Sequence, residues 1–296
     1  MTGFEGFVAI DWSGAEGRYS GISVARCGPG VAAPRLVAPQ SARWTRAAIA
    51  DWLERAIRSG QRLLIGLDFA FGMPFEPRAG YLGGRAKGVD DVFGLWDLLD
   101  AASGAEDFGV GKTVTDPRFA PLFWQSGKQP KGWIARQRRT EIECALATGT
   151  RPECVFKLIG SKQVGKASLT GMRVLRHVRT RNAGRMSVWP FERPGAGTVL
   201  VEIYPTLFRK QTAGGLAKLR TNHDLDAALR HLGSKGIMDT DEDLSDDETD
   251  AMISAAGLRS LAGNGWVRLP EPACRRIRYE GWIFGVKLPL AKPAPA

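Results

Sequence analysis

Apolar and polar positions along the chain fall into a few well-separated patterns. Residues 6–11, GFVAID, form a short apolar run that ends in an aspartate and is followed by the turn WSGAEG. A run of that length bounded by turn residues predicts a buried strand. Residues 19–26 and 34–40 predict two further strands, spaced closely enough for an antiparallel meander. Over 45–60, Ile49, Trp52, Leu53, Ala56 and Ile57 recur at helical spacing before a glycine stop. RLLIGLDFAFGMP, 62–74, predicts a second buried strand and again delivers an aspartate, Asp68. GTVLVEIYP, 197–205, predicts a third, with Glu202 near its end and Pro205 stopping it. Helices are predicted over 89–102, 134–148 and 222–233. A last one begins after Ser245, where DDETDAMISAAGLRSLA presents an apolar face, with Ser245 as N-cap and Glu248 at the capping-box position.

This order predicts a mixed α/β fold of five strands flanked by helices, interrupted between the fourth and fifth strands by a long insertion. The expected core is discontinuous, 1–75 and 197–265. Residues 76–196 form the insertion or subdomain, and 266–296 a C-terminal extension ending in a flexible tail, KLPLAKPAPA. A chain of 296 residues buries a sizeable core without staples. No apolar run approaches the roughly 20 residues that cross a bilayer, so no membrane partner is expected. The N-terminus has no basic stretch ahead of its apolar run, as a signal peptide would. Cys27, Cys144, Cys154 and Cys274 have no CxxC spacing and read as reduced thiols of a cytoplasmic protein.

Charge divides the chain unevenly. Residues 112–193 hold 17 Lys and Arg against 5 Asp and Glu, a net of +12, while the rest holds 24 against 26, a net of −2. The whole formal charge of +10 therefore comes from the insertion. Trp124, Trp133, Trp189, Phe119 and Phe123 lie among these cations. Basic side chains neutralise phosphates and aromatic faces stack on unpaired bases, so a nucleic-acid partner, DNA or RNA, is expected there. The other reading is a solvated basic surface. Opposite charge gathers in DTDEDLSDDETD, 239–250, whose first half reads as a disordered acidic loop. Its aspartates have the spacing of a calcium loop, but Leu244 stands where the turn glycine belongs.

Three apolar strands each deliver one acid, Asp11, Asp68 and Glu202, and strand ends are where open α/β sheets place ligands. Asp247 and Asp250, three apart, share one side of the last helix's first turn. An ionised carboxylate is costly in such surroundings unless paired or bound to a metal. Five carboxylates with almost no histidine favour a hard cation, Mg²⁺ or Mn²⁺, over zinc. Two such ions about 3.5–4 Å apart would clamp the attacking and leaving oxygens of a phosphodiester. For any one of these acids, a cap, a turn or a salt bridge is the alternative.

The set FVAIDWSGA, LLIGLDFAFGMP, VFKLIGSKQVGKASLTG, WPFE, VEIYP and DDETDAM resembles domain of unknown function family 429, described as predicted nucleases with a ribonuclease H-like fold. The resemblance covers about residues 6–262. It implies a ribonuclease H-like mixed five-stranded sheet with the first three strands antiparallel. It also implies metal-binding, catalytic acids at Asp11, Asp68, Asp247 and Asp250, the last pair similar to the Asp-x-x-Asp-Ala of Holliday-junction resolvases. Glu202 belongs to the family's EIYP motif and is carried as a further catalytic and metal-binding candidate.

Candidate substrate-binding residues lie in the insertion. GSKQVGKAS, 160–168, has the Gly-x4-Gly-Lys spacing of a phosphate loop, but Ala167 replaces the metal-binding hydroxyl. It reads instead as a glycine loop whose amides, with Lys162 and Lys166, approach phosphates, or as a tight turn with solvent lysines. Arg139, within RQRRTEIE, either positions a phosphate or forms helical ion pairs with Glu141 or Glu143. Trp133 is a candidate base-stacking residue. The expected activity is metal-dependent hydrolysis of DNA or RNA phosphodiesters. A non-catalytic nucleic-acid-binding protein of the same fold is the alternative. An actin-like or sugar-kinase-like phosphotransferase would need a duplicated sheet domain, and the chain shows one set of strands.

Overall fold

The computed structural model describes residues 3–15, 21–160, 164–212, 215, 218–219, 221–237, 244–263 and 274–287. In chain order the strands are β1 (Gly6–Asp11), β2 (Ser23–Cys27), β3 (Arg35–Leu36), β4 (Leu63–Leu67), β5 (Phe75–Glu76), β6 (Gly80–Tyr81), β7 (Met186–Val188) and β8 (Thr198–Glu202). The helices are α1 (Arg46–Arg58), α2 (Val92–Ser103), α3 (Arg139–Thr148), α4 (Gly165–Arg181), α5 (Pro205–Lys210), α6 (Asn222–His231), α7 (Asp246–Ala262) and α8 (Cys274–Glu280). Six strands form one mixed sheet in the order β3-β2-β1-β4-β8-β7, and β5 pairs with β6 in a separate ribbon. The first three strands pair antiparallel, and β1, β4, β8 and β7 run parallel.

Helices cover both faces, which is why β1, β4 and β8 read as unbroken apolar runs. Side chains still alternate. Val8, Ile10, Ile65, Leu67 and Leu200 pack with α1, α2 and α4 in one core. Phe7, Ala9, Leu64, Val199 and Val201 pack with α6, α7 and α8 in the other. Helix α7 lies across β1 and β2 and is buried from Thr249 to Leu258, a stretch rich in Ala, Ser and Gly. Its start is the expected capping box: Ser245 accepts from the Glu248 N–H while Glu248 accepts from the Ser245 N–H.

The sheet has six strands where five were expected. The sixth, β7, comes from inside the expected insertion; at three residues it is too short for a periodic signal. The strand expected over 34–40 shrinks to two paired residues. Helix α4 begins within the glycine loop expected over 160–168 and continues through a basic stretch whose Lys and Arg mask its helical period. Its apolar face, Leu169, Met172 and Leu175, packs in the same core as α1 and the sheet. The extension also contributes: Trp282, Ile283 and Phe284 are buried, and Ile283 bridges to Glu202 beside β8. Of the tail 287–296 only Lys287 lies within the described residues, and the first half of the acidic loop, 239–243, lies outside them.

Gly257 of α7 faces the buried ring of Phe208 on α5, and an added Cβ would stand 2.6 Å from the ring's Cγ. Gly257→Ala is expected to destabilise the protein by about 1–3 kcal/mol through overpacking. Urea unfolding would read this as a lower midpoint at unchanged slope.

Candidate metal centre

Two loops and one helix start build the site. The loop after β1 is held from three sides. Buried Arg46 on α1 donates to the carbonyls of Ser13 and Ala15. The Trp12 indole N–H donates to Thr170 on α4, 3.1 Å away. Gly14 meets the first turn of α4 so closely that a Cβ would lie 2.7 Å from Cβ of Lys166. The loop after β4 leans on the same helix: the Ala70 N–H donates to Ser168 at 3.1 Å, and Gly171 leaves room for the Phe69 ring. Both aspartate-bearing loops therefore rest on the first two turns of α4.

Asp11 ends β1 and Asp68 follows β4, its N–H donating to Ile10 at 3.0 Å. Phe7 and Ala9 of β1, like Leu64 of β4, belong to the core beneath α7. Asp11 and Asp68 continue those alternations and turn the same way. The first turn of α7 brings Asp247 and Asp250 to them. Asp247 comes close enough to Asp11 for its charge to act on it, and Gly21 leaves space for Asp247, since a Cβ there would lie 3.1 Å from Oδ2. Burial, followed by the charges of Asp68, Asp250 and Asp247, raises Asp11 well above the usual carboxylate range. Burial and the charge of Asp250 push Asp68 up to about 8, against the opposing pull of Arg209 and Lys218. Asp247 is raised by burial and by Asp250.

Two cations absent from the sequence reading enter this cluster. Arg209 of α5 pairs with Oδ1 of Asp250 through Nη1 and donates to Thr206 through Nη2 at 2.7 Å. Lys218 reaches Oδ2 of Asp250 at 3.1 Å and Asp246 at 3.4 Å. The signal for Arg209 is its place on the helix that directly follows β8, which carries it over the strand ends; Lys218 leaves none. Among the described residues, no three His, Cys, Asp or Glu side chains stand in metal-holding geometry.

Glu202 does not join the cluster. Val199 and Val201 of β8 face α7, so alternation turns Glu202 to the opposite face. There Arg138 grips both its oxygens, at 2.9 and 2.5 Å, and the Phe71 N–H donates to Oε2 at 3.0 Å. Arg138 also pairs with Glu141 at 2.7 Å, and all three side chains are buried. Burial pushes Glu141 up to about 7 against the charge of Arg138. Glu202 is thus a structural anchor, holding the turn after Asp68 through Phe71.

The other expected residues are dispersed. Arg139 forms the helical ion pair with Glu143, and its neighbour Arg138 takes Glu141. Lys166 is half-buried in the first turn of α4, beside Gly14; Lys162 lies outside the described residues. Trp133 is half-buried, donates its indole N–H to Leu122 at 2.9 Å and meets Trp124 edge-on. Phe119, Phe123 and Trp189 are core residues and offer no face for stacking. Much of the positive charge is matched by acids outside the segment: Arg173 by Asp100, Arg176 by Asp97, Arg181 by Glu54 and Arg138 by Glu202. Lys112, Lys128, Lys131, Arg151, Arg185 and Arg193 remain exposed.

Fold and site together define an α/β protein with a carboxylate cluster at the C-terminal ends of two parallel strands. No family model matches the chain, and no curated protein and no solved structure matches it.

Removing Arg138 strands Glu202 and Glu141 as buried charges. Arg138→Met is expected to cost about 3–5 kcal/mol in urea unfolding, with faster hydrogen exchange at the Phe71 amide. A second expectation concerns pH. Asp68 binds a proton in the folded state up to about 8 but, unfolded, only below its ordinary value of 3.8. Folding therefore takes up a proton between those values, and stability declines as pH rises from about 4 to about 8. In chelator-treated protein, the melting temperature of wild type should fall more steeply over that window than that of Asp68→Asn.

Proposed function

We propose that the chain is a divalent-cation-dependent phosphodiesterase acting on nucleic acid, with Asp11, Asp68, Asp247 and Asp250 as its metal-binding and catalytic acids. The observation that carries this reading is the convergence of four carboxylates from two strand ends and one helix start, on a single face of the sheet. Acids that raise one another's proton affinity lack positive charge. Their donor set is all oxygen, which fits Mg²⁺ or Mn²⁺. Such an ion supplies charge against the negative charge that develops on a phosphoryl group in transfer.

The protein's own groups have separate tasks in this reading. Asp11 and Asp68, fixed by the loops that rest on α4, hold the ion. Asp247, only partly buried, closes the cluster toward solvent. Lys166 offers a phosphate contact near the loop after Asp11. Lys128 and Lys131, with Trp124 and Trp133 nearby in sequence, offer a charged and aromatic surface for a strand. A mixed sheet with its first three strands antiparallel and acids at these positions is the arrangement expected of a ribonuclease H-like nuclease.

One observation favours a second reading. Arg209 and Lys218 already neutralise Asp250, as in a salt-bridge network of a protein that binds nucleic acid without cutting it. Labelled single-stranded, duplex and branched DNA and RNA incubated with Mn²⁺ separate the two. Wild type should cleave at least one substrate, and Asp11→Asn and Asp68→Asn should lose at least a hundredfold in rate, on the order expected for loss of a charge-stabilising group, while still binding. Retained cleavage in Asp11→Asn would refute the assignment; salt-sensitive binding without cleavage in wild type would favour the second reading.

A further inference from the structure

We propose that this centre takes one divalent cation rather than two, on which Asp11, Asp68 and Asp247 close from positions that do not by themselves form a three-ligand group, while Arg209 and Lys218 keep Asp250 and present the second positive charge to the substrate phosphate. The inference rests on the metal-dependent reading of the site and narrows it: Asp250, counted there as a metal-binding acid, keeps its protein cations instead.

Both oxygens of Asp250 are engaged, Oδ1 by Arg209 and Oδ2 by Lys218. Arg209 is not a surface charge free to swing away. Its side chain is 7% exposed, and its guanidinium is held by Asp250 at one nitrogen and by Thr206 at another. Moving that charge off its carboxylate would leave two desolvated ions apart, so an incoming cation does not readily displace it. Among the described residues, by contrast, no ion pair reaches Asp11, Asp68 or Asp247. Five formal negative charges, with Asp246 counted beside Lys218, against the two of Arg209 and Lys218 leave three; one divalent ion brings the site close to neutral, and a second would reverse its sign.

An independent observation points to an anionic oxygen on the Arg209 side. The Nε–H of Arg209 is buried and has no acceptor among the described residues. A buried donor left open marks a place where an oxygen belongs. Lys218 is 39% exposed against 11% for Asp250, so its ammonium is open to a phosphate that approaches from solvent. The pair thus differs in role: Arg209 is fixed within the cluster, and Lys218 is at its mouth.

Mn²⁺ titration of the full chain, followed by calorimetry and by the electron paramagnetic signal of free Mn²⁺, tests this without reference to activity. Wild type should bind one ion per chain, and Asp11→Asn should lose it. Lys218→Met removes a positive charge beside the ion and should tighten binding on the order of tenfold. Arg209→Met combined with Lys218→Met should admit a second ion. Two ions in wild type would overturn the inference and leave the metal-dependent reading intact. No ion in folded wild type, checked by circular dichroism, would overturn both. Should the double variant fail to fold, Lys218→Met alone decides: unchanged affinity refutes the division of charge.

Discussion

Carboxylates at the end of a sheet covered on both faces lose the water that would stabilise their charge, and each must find it elsewhere. Period-two alternation decides where. Glu202 turns to one face and meets Arg138, whose guanidinium binds both its oxygens. Asp11 and Asp68 turn to the other, where acids on α7 act on them and the cations Arg209 and Lys218 are bound to Asp250. One end of the sheet therefore carries two kinds of acid. The first is neutralised within the fold and holds it together; the second is left short of positive charge.

The segment with the largest charge excess is less exposed electrically than its composition suggests. Four of its arginines are matched by acids on α1, α2 and β8, so part of the imbalance between segments vanishes once they pack. Its apolar residues enter the core of the sheet rather than forming one of their own, and it supplies an edge strand. What remains for a polyanionic partner is a smaller group of exposed lysines and arginines, of which Lys128 and Lys131 lie in the same stretch as Trp124 and Trp133.

Asp11, Asp68 and the α7 pair were legible because each signal is local: an apolar run ending in an acid, or a capping box followed by helical spacing. Glu202 had the same local signal and a different fate. Its parity relative to Val199 and Val201 is visible in one strand, but which face carries α7 depends on long-range packing. Arg209 and Lys218 reach Asp250 across 41 and 32 residues, and no spacing rule anticipates such contacts. Helix α4 was obscured because a helix buried on one side and crowded with cations on the other resembles a basic loop in composition. The short strand β7 borrows its conformation from its pairing with β8.

Helix α4 has a mechanical consequence. It is a rod of 17 residues, about 25 Å long at the usual rise. Its first turns hold the loops of both Asp11 and Asp68, and its last turns are clamped by Glu192 on Arg179 and Glu54 on Arg181. The two acids therefore share one rigid mount. Their mutual spacing is insulated from movement of the surrounding loops, and a displacement of the rod carries both together.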